Sequence, residues 1–325
     1  MSPSTMVQAI QSGLYEALAQ HDEVIVLGED VGKNGGVFRA TEGLWAQFGD
    51  ERVIDTPLSE AAIIGASIGM AINGLKPVAE IQFMGFIYPA MEQIVTHMAR
   101  LRTRTQGAYP ATVVVRVPYG GGIRAPELHC DSTESLFTHI PGIKVVTPST
   151  PKDAKGLLLA AIRDPDPVLF LEPMQLYRSI KEEIPAGWYE IPIGEARRVC
   201  EGDDLTLISW GTMVPVTEAA AKQALQLGIS CEVIDLRSLS PIDEETIIQS
   251  VKKTGRAMII HEAPKTAGLG AEITSIINEQ AFLYLEAPVK RVTGYDAPVP
   301  MYALEDTYRP HQERVLKAIQ EVMSF

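Results

Sequence analysis

Glu60 is the side chain best placed to do chemistry. It ends the run Asp55-Thr56-Pro57-Leu58-Ser59-Glu60, and no charge follows it through residues 61–74. Thr56, Pro57 and Ser59 are helix-start residues, so Glu60 falls in or beside a first helical turn. A lone carboxylate at the mouth of such an uncharged helix is expensive to bury, which makes it a candidate for chemistry. An ordinary helix-starting acid on a core helix fits the same segment. His129, in Pro126-Glu127-Leu128-His129-Cys130-Asp131-Ser132, lies in a polar loop after a strand and a glycine run. Loops of that kind carry working histidines, although a solitary histidine is more often structural. Asp164-Pro165-Asp166-Pro167 puts two carboxylates on one turn, either a plain turn or a hard-cation site completed by backbone carbonyls.

The elements that must hold these residues alternate in type. Residues 23–28 read as a buried strand that breaks at Gly28-Glu29-Asp30, where open α/β sheets place their sites. Residues 52–55, 77–83, 112–117, 144–148 and 168–171 are strand-like, and residues 6–21, 91–104 and 151–163 are helical. Within residues 61–74, Ala62, Ala66, Gly69 and Asn73 recur at helical spacing and form a nearly bare face, with Ile64, Ile68 and Ile72 as an apolar ridge beside it. Gly74 and Lys76-Pro77 stop that helix. Such alternation predicts a parallel sheet covered by helices on both faces. Residues 181–200 lack periodicity and read as a linker. A second alternating unit follows, with strands at 205–209, 231–235, 257–260 and 289–292 and helices at 214–227 and 270–282. The expected fold class is α/β in two domains, residues 1–180 and 201–325.

Composition narrows the function. The 325 residues are 46% hydrophobic and 21% charged, ordinary for a globular protein with two cores. A net charge of −13 argues against a general nucleic-acid or anionic-membrane binder. Cys130, Cys200 and Cys231 are odd in number and lack CxxC spacing, which suggests a reducing compartment rather than a disulfide framework or zinc site. Residues 1–10 show no secretory signal, so a cytoplasmic bacterial-type chain is expected, or a mature organellar chain without its leader. The uncharged run at 61–74 is shorter than the roughly 20 residues of a membrane span. Gly32-Lys33-Asn34-Gly35-Gly36 and Gly120-Gly121-Gly122 have neither GxGxxG nor Walker spacing and read as flexible turns. The other histidines (His21, His97, His139, His261, His311) make no HExxH pair, and no GxSxG elbow exists.

Several blocks together resemble one family. They are Gly28-Glu29-Asp30-Val31-Gly32, Gly36-Val37-Phe38-Arg39, the Asp55–Glu60 run, Glu80-Ile81-Gln82-Phe83, Pro141-Gly142-Ile143-Lys144-Val145-Val146 and Asp153-Ala154-Lys155-Gly156-Leu157-Leu158, with Cys231-Glu232-Val233-Ile234-Asp235-Leu236-Arg237, Lys253-Thr254-Gly255-Arg256 and His261-Glu262-Ala263-Pro264 further on. Across essentially the whole chain they resemble the beta subunit of the thiamine-diphosphate-dependent 2-oxoacid dehydrogenases, the decarboxylating first component of pyruvate and branched-chain complexes. The resemblance implies an amino-terminal pyrimidine-binding domain and a transketolase-like carboxyl-terminal domain, in a heterotetramer of two alpha and two beta subunits. It implies oxidative decarboxylation of a 2-oxoacid with transfer of the acyl group to the lipoyl group of an acyltransferase core.

Residue roles follow from the resemblance alone. Glu60 matches the carboxylate on the cofactor's aminopyrimidine, where proton exchange favours the imino tautomer that deprotonates the thiazolium carbon. Phe86 matches the aromatic that stacks on the pyrimidine, Gln82 a neighbouring contact, and Glu29 a member of an acidic channel between paired active sites. His129 matches the histidine that steadies the substrate and assists acyl transfer. Val113, Ala161, Ile162, Asp164 and Asp166 match a potassium-binding set, and Glu286 and the Phe325 carboxylate match core-docking contacts. Pro89 stands where some pyruvate-type relatives carry an acid, and Gly294-Tyr295-Asp296-Ala297-Pro298 leans to the branched-chain type, whereas the His129 loop looks like bacterial pyruvate-type subunits. The family's GDG motif for diphosphate and magnesium is missing, so an alpha partner is expected to bring both. A non-catalytic scaffold that stabilises alpha and docks the core is the rival reading.

Overall fold

The computed structural model describes residues 3–325, which form two compact units. The first comprises the chain up to Tyr119 together with Leu136–Ile193. It begins with the short strand β1 (Ser4–Thr5) and the helix Met6–Gln20, whose start is fixed by a capping box. Thr5 N–H donates to Gln8 Oε1 at 2.9 Å, and Gln8 N–H donates back to Thr5 Oγ1 at 3.4 Å. Strands β2 (Val24–Gly28), β3 (Val53–Asp55), β4 (Lys76–Glu80), β5 (Val114–Tyr119), β6 (Lys144–Val146) and β7 (Val168–Pro173) follow. They lie in the order β6-β7-β5-β4-β2-β3, every pair parallel, with the short strand β8 (Lys181–Glu182) pairing back on β1. The helix Pro151–Arg163, capped by Thr150 with proline in its first turn, packs against Met6–Gln20 over a core that includes Ile10, Leu14, Leu158 and Phe170.

Two local expectations shift. The helix Glu60–Ile72 buries Ile63, Ile64, Ser67, Ile68 and Ala71 and leaves Ala62, Ala66 and Asn73 exposed, so its bare face points outward. Ile72 is 38% exposed and does not extend the ridge. Each step of four residues turns the side chain by about 40° past a full circle, so two steps rotate it off the buried face. Residues 91–104 are not one helix. Met84–Ala90 is a 3-10 turn containing Pro89, Gln93–Met98 is a π-helical turn, and α-helix is confined to residues 91–92 and Leu101–Arg104. Pro89 lacks an N–H, and β-branched Ile94, Val95 and Thr96 crowd the next turn.

The second unit comprises Gly120–Ser135 and Gly194–Phe325. Its strands are β9 (Arg197–Cys200), β10 (Leu205–Ser209), β11 (Cys231–Asp235), the short β12 (Ser238–Ser240), β13 (Ala257–Pro264) and β14 (Lys290–Gly294). Five of them pair as β14-β13-β10-β11-β9, with β9 alone antiparallel. The helices Met213–Gln226 and Leu269–Ala281 stand where periodicity predicts them. Glu244–Thr254 and Gln312–Met323 are additional helices, although Asp243 as an N-cap and left-handed Gly255 as a stop signalled the first of them. Residues 181–200, expected as a linker, carry structure of their own: Ile184, Trp188, Ile191 and Ile193 pack on the first core, and β9 joins the second sheet. No helix among the described residues is long and apolar enough to cross a membrane.

Candidate active site

Chain order reverses around β2 in the first sheet, because β3 flanks it on one side and β4 on the other. The carboxyl ends of strands at such a switch point open into a crevice where α/β sheets bind ligands. Glu29 follows β2, Glu60 follows β3, and Gln82 and Phe86 follow β4, so four of the expected site residues converge on one edge of the sheet. Hydrogen bonds lace the three loops together. Thr56 N–H donates to Gly28 O at 2.9 Å, and Gln82 Nε2 donates to Glu29 O at 3.4 Å. Asp55 accepts Gly32 N–H at 2.6 Å and Lys33 N–H at 3.3 Å. A Cβ at residue 32 would sit 2.6 Å from Asp55 Oδ2, which is why glycine stands there.

Glu60 starts its helix with Ser59 as N-cap, but the Ser59 side chain makes no capping bond. The Glu29 carboxyl is pushed above the usual range by burial first, then by the charges of Glu60 and Asp30. Its Oε1 is buried without a hydrogen-bond partner among the described residues, as is Thr56 Oγ1. Phe86 meets Phe83 edge-on at 5.6 Å, Phe83 meets Phe38 at 5.5 Å, and Phe38 meets Tyr177 at 4.9 Å. This ladder of rings supports Phe86 from the core, and no spacing rule announces it because Phe38 and Tyr177 lie far from Phe83 and Phe86 in the chain.

His129 belongs to the second unit, on the loop that follows β5. Its Nδ1 lies 2.9 Å from Glu127 O, and its N–H donates to Pro126 O at 3.2 Å. Neighbouring Cys130 is buried, with its thiol pushed up to about 11 chiefly by desolvation, which keeps it in the less reactive thiol form. The glycine run before the loop is tied down by carboxylates. Gly121 N–H donates to Glu262 Oε1 at 2.5 Å, and Gly122 N–H donates to Glu305 Oε1. With Asp55 on Gly32 and Lys33, both glycine runs therefore spend backbone donors on the protein's own carboxylates.

Profiles of two families match in tandem: the transketolase pyrimidine binding domain over residues 2–180 and the transketolase C-terminal domain over residues 194–315. The chain is 52% identical to the pyruvate dehydrogenase E1 component subunit beta of Acholeplasma laidlawii over 322 residues, covering 99% of this chain and 98% of that protein. It is 50% identical to the subunit of the same name from Bacillus subtilis (strain 168), over the full length of both. The chain belongs to the beta subunits of the 2-oxoacid dehydrogenases. Among solved structures, a split gene transketolase described as an inactive beta4 tetramer shares the fold of this beta subunit with a TM-score of 0.82 at 22% identity, covering 99% of each chain.

The acidic turn of this beta subunit is already engaged. Lys144 Nζ lies 2.8 and 2.6 Å from the two oxygens of Asp164, and Arg102 NH1 lies 2.6 Å from Asp166 Oδ1. Asp164 N–H donates to Ala161 O at 3.2 Å, and Val168 N–H donates to Val113 O at 3.0 Å. Among the described residues no group of three or more His, Cys, Asp or Glu side chains is arranged to hold a metal ion. Any cation at this turn would rest on backbone carbonyls more than on free carboxylates.

Proposed function

We propose that this beta subunit forms the pyrimidine half of a thiamine-diphosphate site in a pyruvate dehydrogenase first component of two alpha and two beta subunits, passing the acyl group to the lipoyl domain of the acyltransferase core. The observation that carries the reading is the convergence of Glu29, Glu60, Gln82 and Phe86 at the carboxyl ends of β2, β3 and β4. The donor set fits the cofactor's pyrimidine: a carboxylate at a helix start, an unpartnered buried Glu29 oxygen and an aromatic ring braced from behind. When bound, thiamine diphosphate supplies the carbon nucleophile and electron sink for decarboxylation. Glu60 holds and returns a proton at the pyrimidine ring nitrogen. Burial and the neighbouring Glu60 charge raise the Glu29 carboxyl, Phe86 gives the ring a face, and Gln82 ties the β2 and β4 loops. His129 orients the substrate carboxylate and assists acyl transfer.

The diphosphate and its magnesium fall to the alpha subunit, since the amides of Gly32, Gly121 and Gly122 are filled by Asp55, Glu262 and Glu305. Potassium is assigned to the turn around Val113, Ala161, Ile162, Asp164 and Asp166, and core docking to Glu286 and the Phe325 carboxylate. The names of relatives about half identical to this chain support pyruvate over a branched-chain acid, and their bacterial sources support a cytoplasmic location. Reconstitution tests the proposal. The isolated chain should show no turnover with magnesium and cofactor, and adding alpha should restore it, with pyruvate preferred in a panel of 2-oxoacids. Full decarboxylation by the chain alone would overturn the half-site reading, and a branched-chain preference would overturn the substrate.

A further inference from the structure

Carboxylates from the far end of the chain hold the loop that carries His129. Glu262 accepts Gly121 N–H and lies 3.2 Å from Arg309 Nε, while Glu305 accepts Gly122 N–H. A Cβ at residue 121 would sit 2.5 Å from Glu305 Oε1, so the close approach requires glycine. Next to Glu305, Asp306 pairs with Arg124 at 2.7 Å. Gly120 N–H donates to Asp131 O at 3.1 Å and closes the base of the loop, and at its exit Trp210 Nε1 donates to Glu134 Oε1 at 3.2 Å. Glu134, Glu262 and Glu305 are all buried.

Between these anchors the loop has little apolar burial to order it, because Ile123, Arg124, Pro126, Glu127 and Leu128 are exposed. Arg124 and Leu128 also take left-handed backbone at φ 54° and 68°, a conformation that surrounding structure must impose. Hydrogen bonds from backbone N–H groups to buried carboxylates are charge-assisted and costly to leave unmade. The order of this loop therefore comes from its polar anchors.

We propose that Glu262 and Glu305, with Asp306 at the rim, are positioning residues that fix the His129 loop for acyl transfer. The proposal rests on the reading of His129 given above. Its test uses the reconstituted alpha–beta complex with Glu305→Gln, Asp306→Asn and His129→Ala. Three readouts are needed: decarboxylation with an artificial electron acceptor, acyl transfer to a lipoyl domain, and amide exchange over residues 120–131. Asp306 and Arg124 are more than 60% exposed, so Asp306→Asn keeps the test valid if Glu305→Gln does not fold. Both variants should speed exchange in the loop and lower acyl transfer about tenfold, with decarboxylation falling no further than it does in His129→Ala, as expected when the group displaced is His129 itself. Combined with His129→Ala, neither should cost further transfer, because the two changes remove the same contribution.

Unchanged exchange, unchanged transfer, or a decarboxylation loss larger than that of His129→Ala would overturn the positioning role and leave the reading of His129 intact. A His129→Ala enzyme with full transfer would instead remove that reading, and the clamp's purpose with it.

Discussion

Arg116 and Glu172 form a two-pronged ion pair inside the first sheet, with Nε 2.6 Å from Oε1 and NH2 3.0 Å from Oε2. The third guanidinium nitrogen, NH1, reaches Glu80 Oε2 at 2.7 Å, and Tyr177 OH donates to Glu172 Oε2 at 2.5 Å. All four side chains are buried, on or just after the adjacent strands β4, β5 and β7. One cation faces two acids, and burial pushes the Glu80 carboxyl up against the pull of Arg116. Glu172→Ala would leave the guanidinium and the Tyr177 hydroxyl short of a partner, and breaking such a pair costs about 3–5 kcal/mol. Urea unfolding should show a loss of that size. A loss under about 1 kcal/mol would mean that the cluster relaxes around the gap.

Glu60→Gln in the reconstituted enzyme should leave assembly and cofactor binding intact and lower turnover about a hundredfold or more, the scale of a lost general acid–base. The same change removes a charge that raises the Glu29 carboxyl, so Glu29 should titrate at lower pH in the variant. Steady-state rates and carboxyl-resolved titration report the two effects separately. Near-normal turnover with bound cofactor would favour the scaffold reading of the chain.

Trp210 joins two buried groups with opposite pH responses. Its indole N–H bonds Glu134, whose carboxyl is pushed up to about 7 by burial, with Glu262 adding to the rise. Its ring stacks at 5.2 Å on His261, whose imidazole is pulled down to about 4, by burial first and then by Arg291. For Glu134 the folded value lies above the ordinary 4.5, so its contribution is full below pH 4.5 and is lost as pH rises through about 7. For His261 the folded value lies below the ordinary 6.5, so its contribution is present above pH 6.5 and is lost as pH falls through about 4. Glu134→Gln should therefore flatten the alkaline side of the stability profile, and His261→Phe the acid side. Unfolding midpoints from pH 4 to 8 that keep the wild-type shape in both variants would contradict these assignments.

Potassium should raise the melting temperature relative to a large organic cation, because a ligand that binds only the folded chain stabilises it by mass action. Asp164→Asn and Asp166→Asn should abolish the difference, since each also releases the Lys144 and Arg102 contacts that shape the turn. Identical melting in both salts for the wild type would remove the cation from the site.

The alternation of elements, the two-unit α/β plan and the Glu60 helix start are written in short stretches of the chain. These are legible because caps, glycine stops and apolar periodicity act over a few neighbouring residues, as Thr150 and Pro151 do for the helix Pro151–Arg163. The same local rules failed at residues 91–104, where a π turn over Gln93–Met98 interrupts the expected helix just after the 3-10 turn that holds Pro89. Which side chains meet follows from the folded chain and not from any local pattern. The bonds from Gly121 to Glu262 and from Gly122 to Glu305 span 141 and 183 residues, so no spacing rule announces them. A glycine run looks equally like a flexible turn or a ligand cradle until folding shows what fills its amides. Here carboxylates from the chain's own far end fill them, because a buried N–H must find an acceptor and a buried carboxylate must find donors.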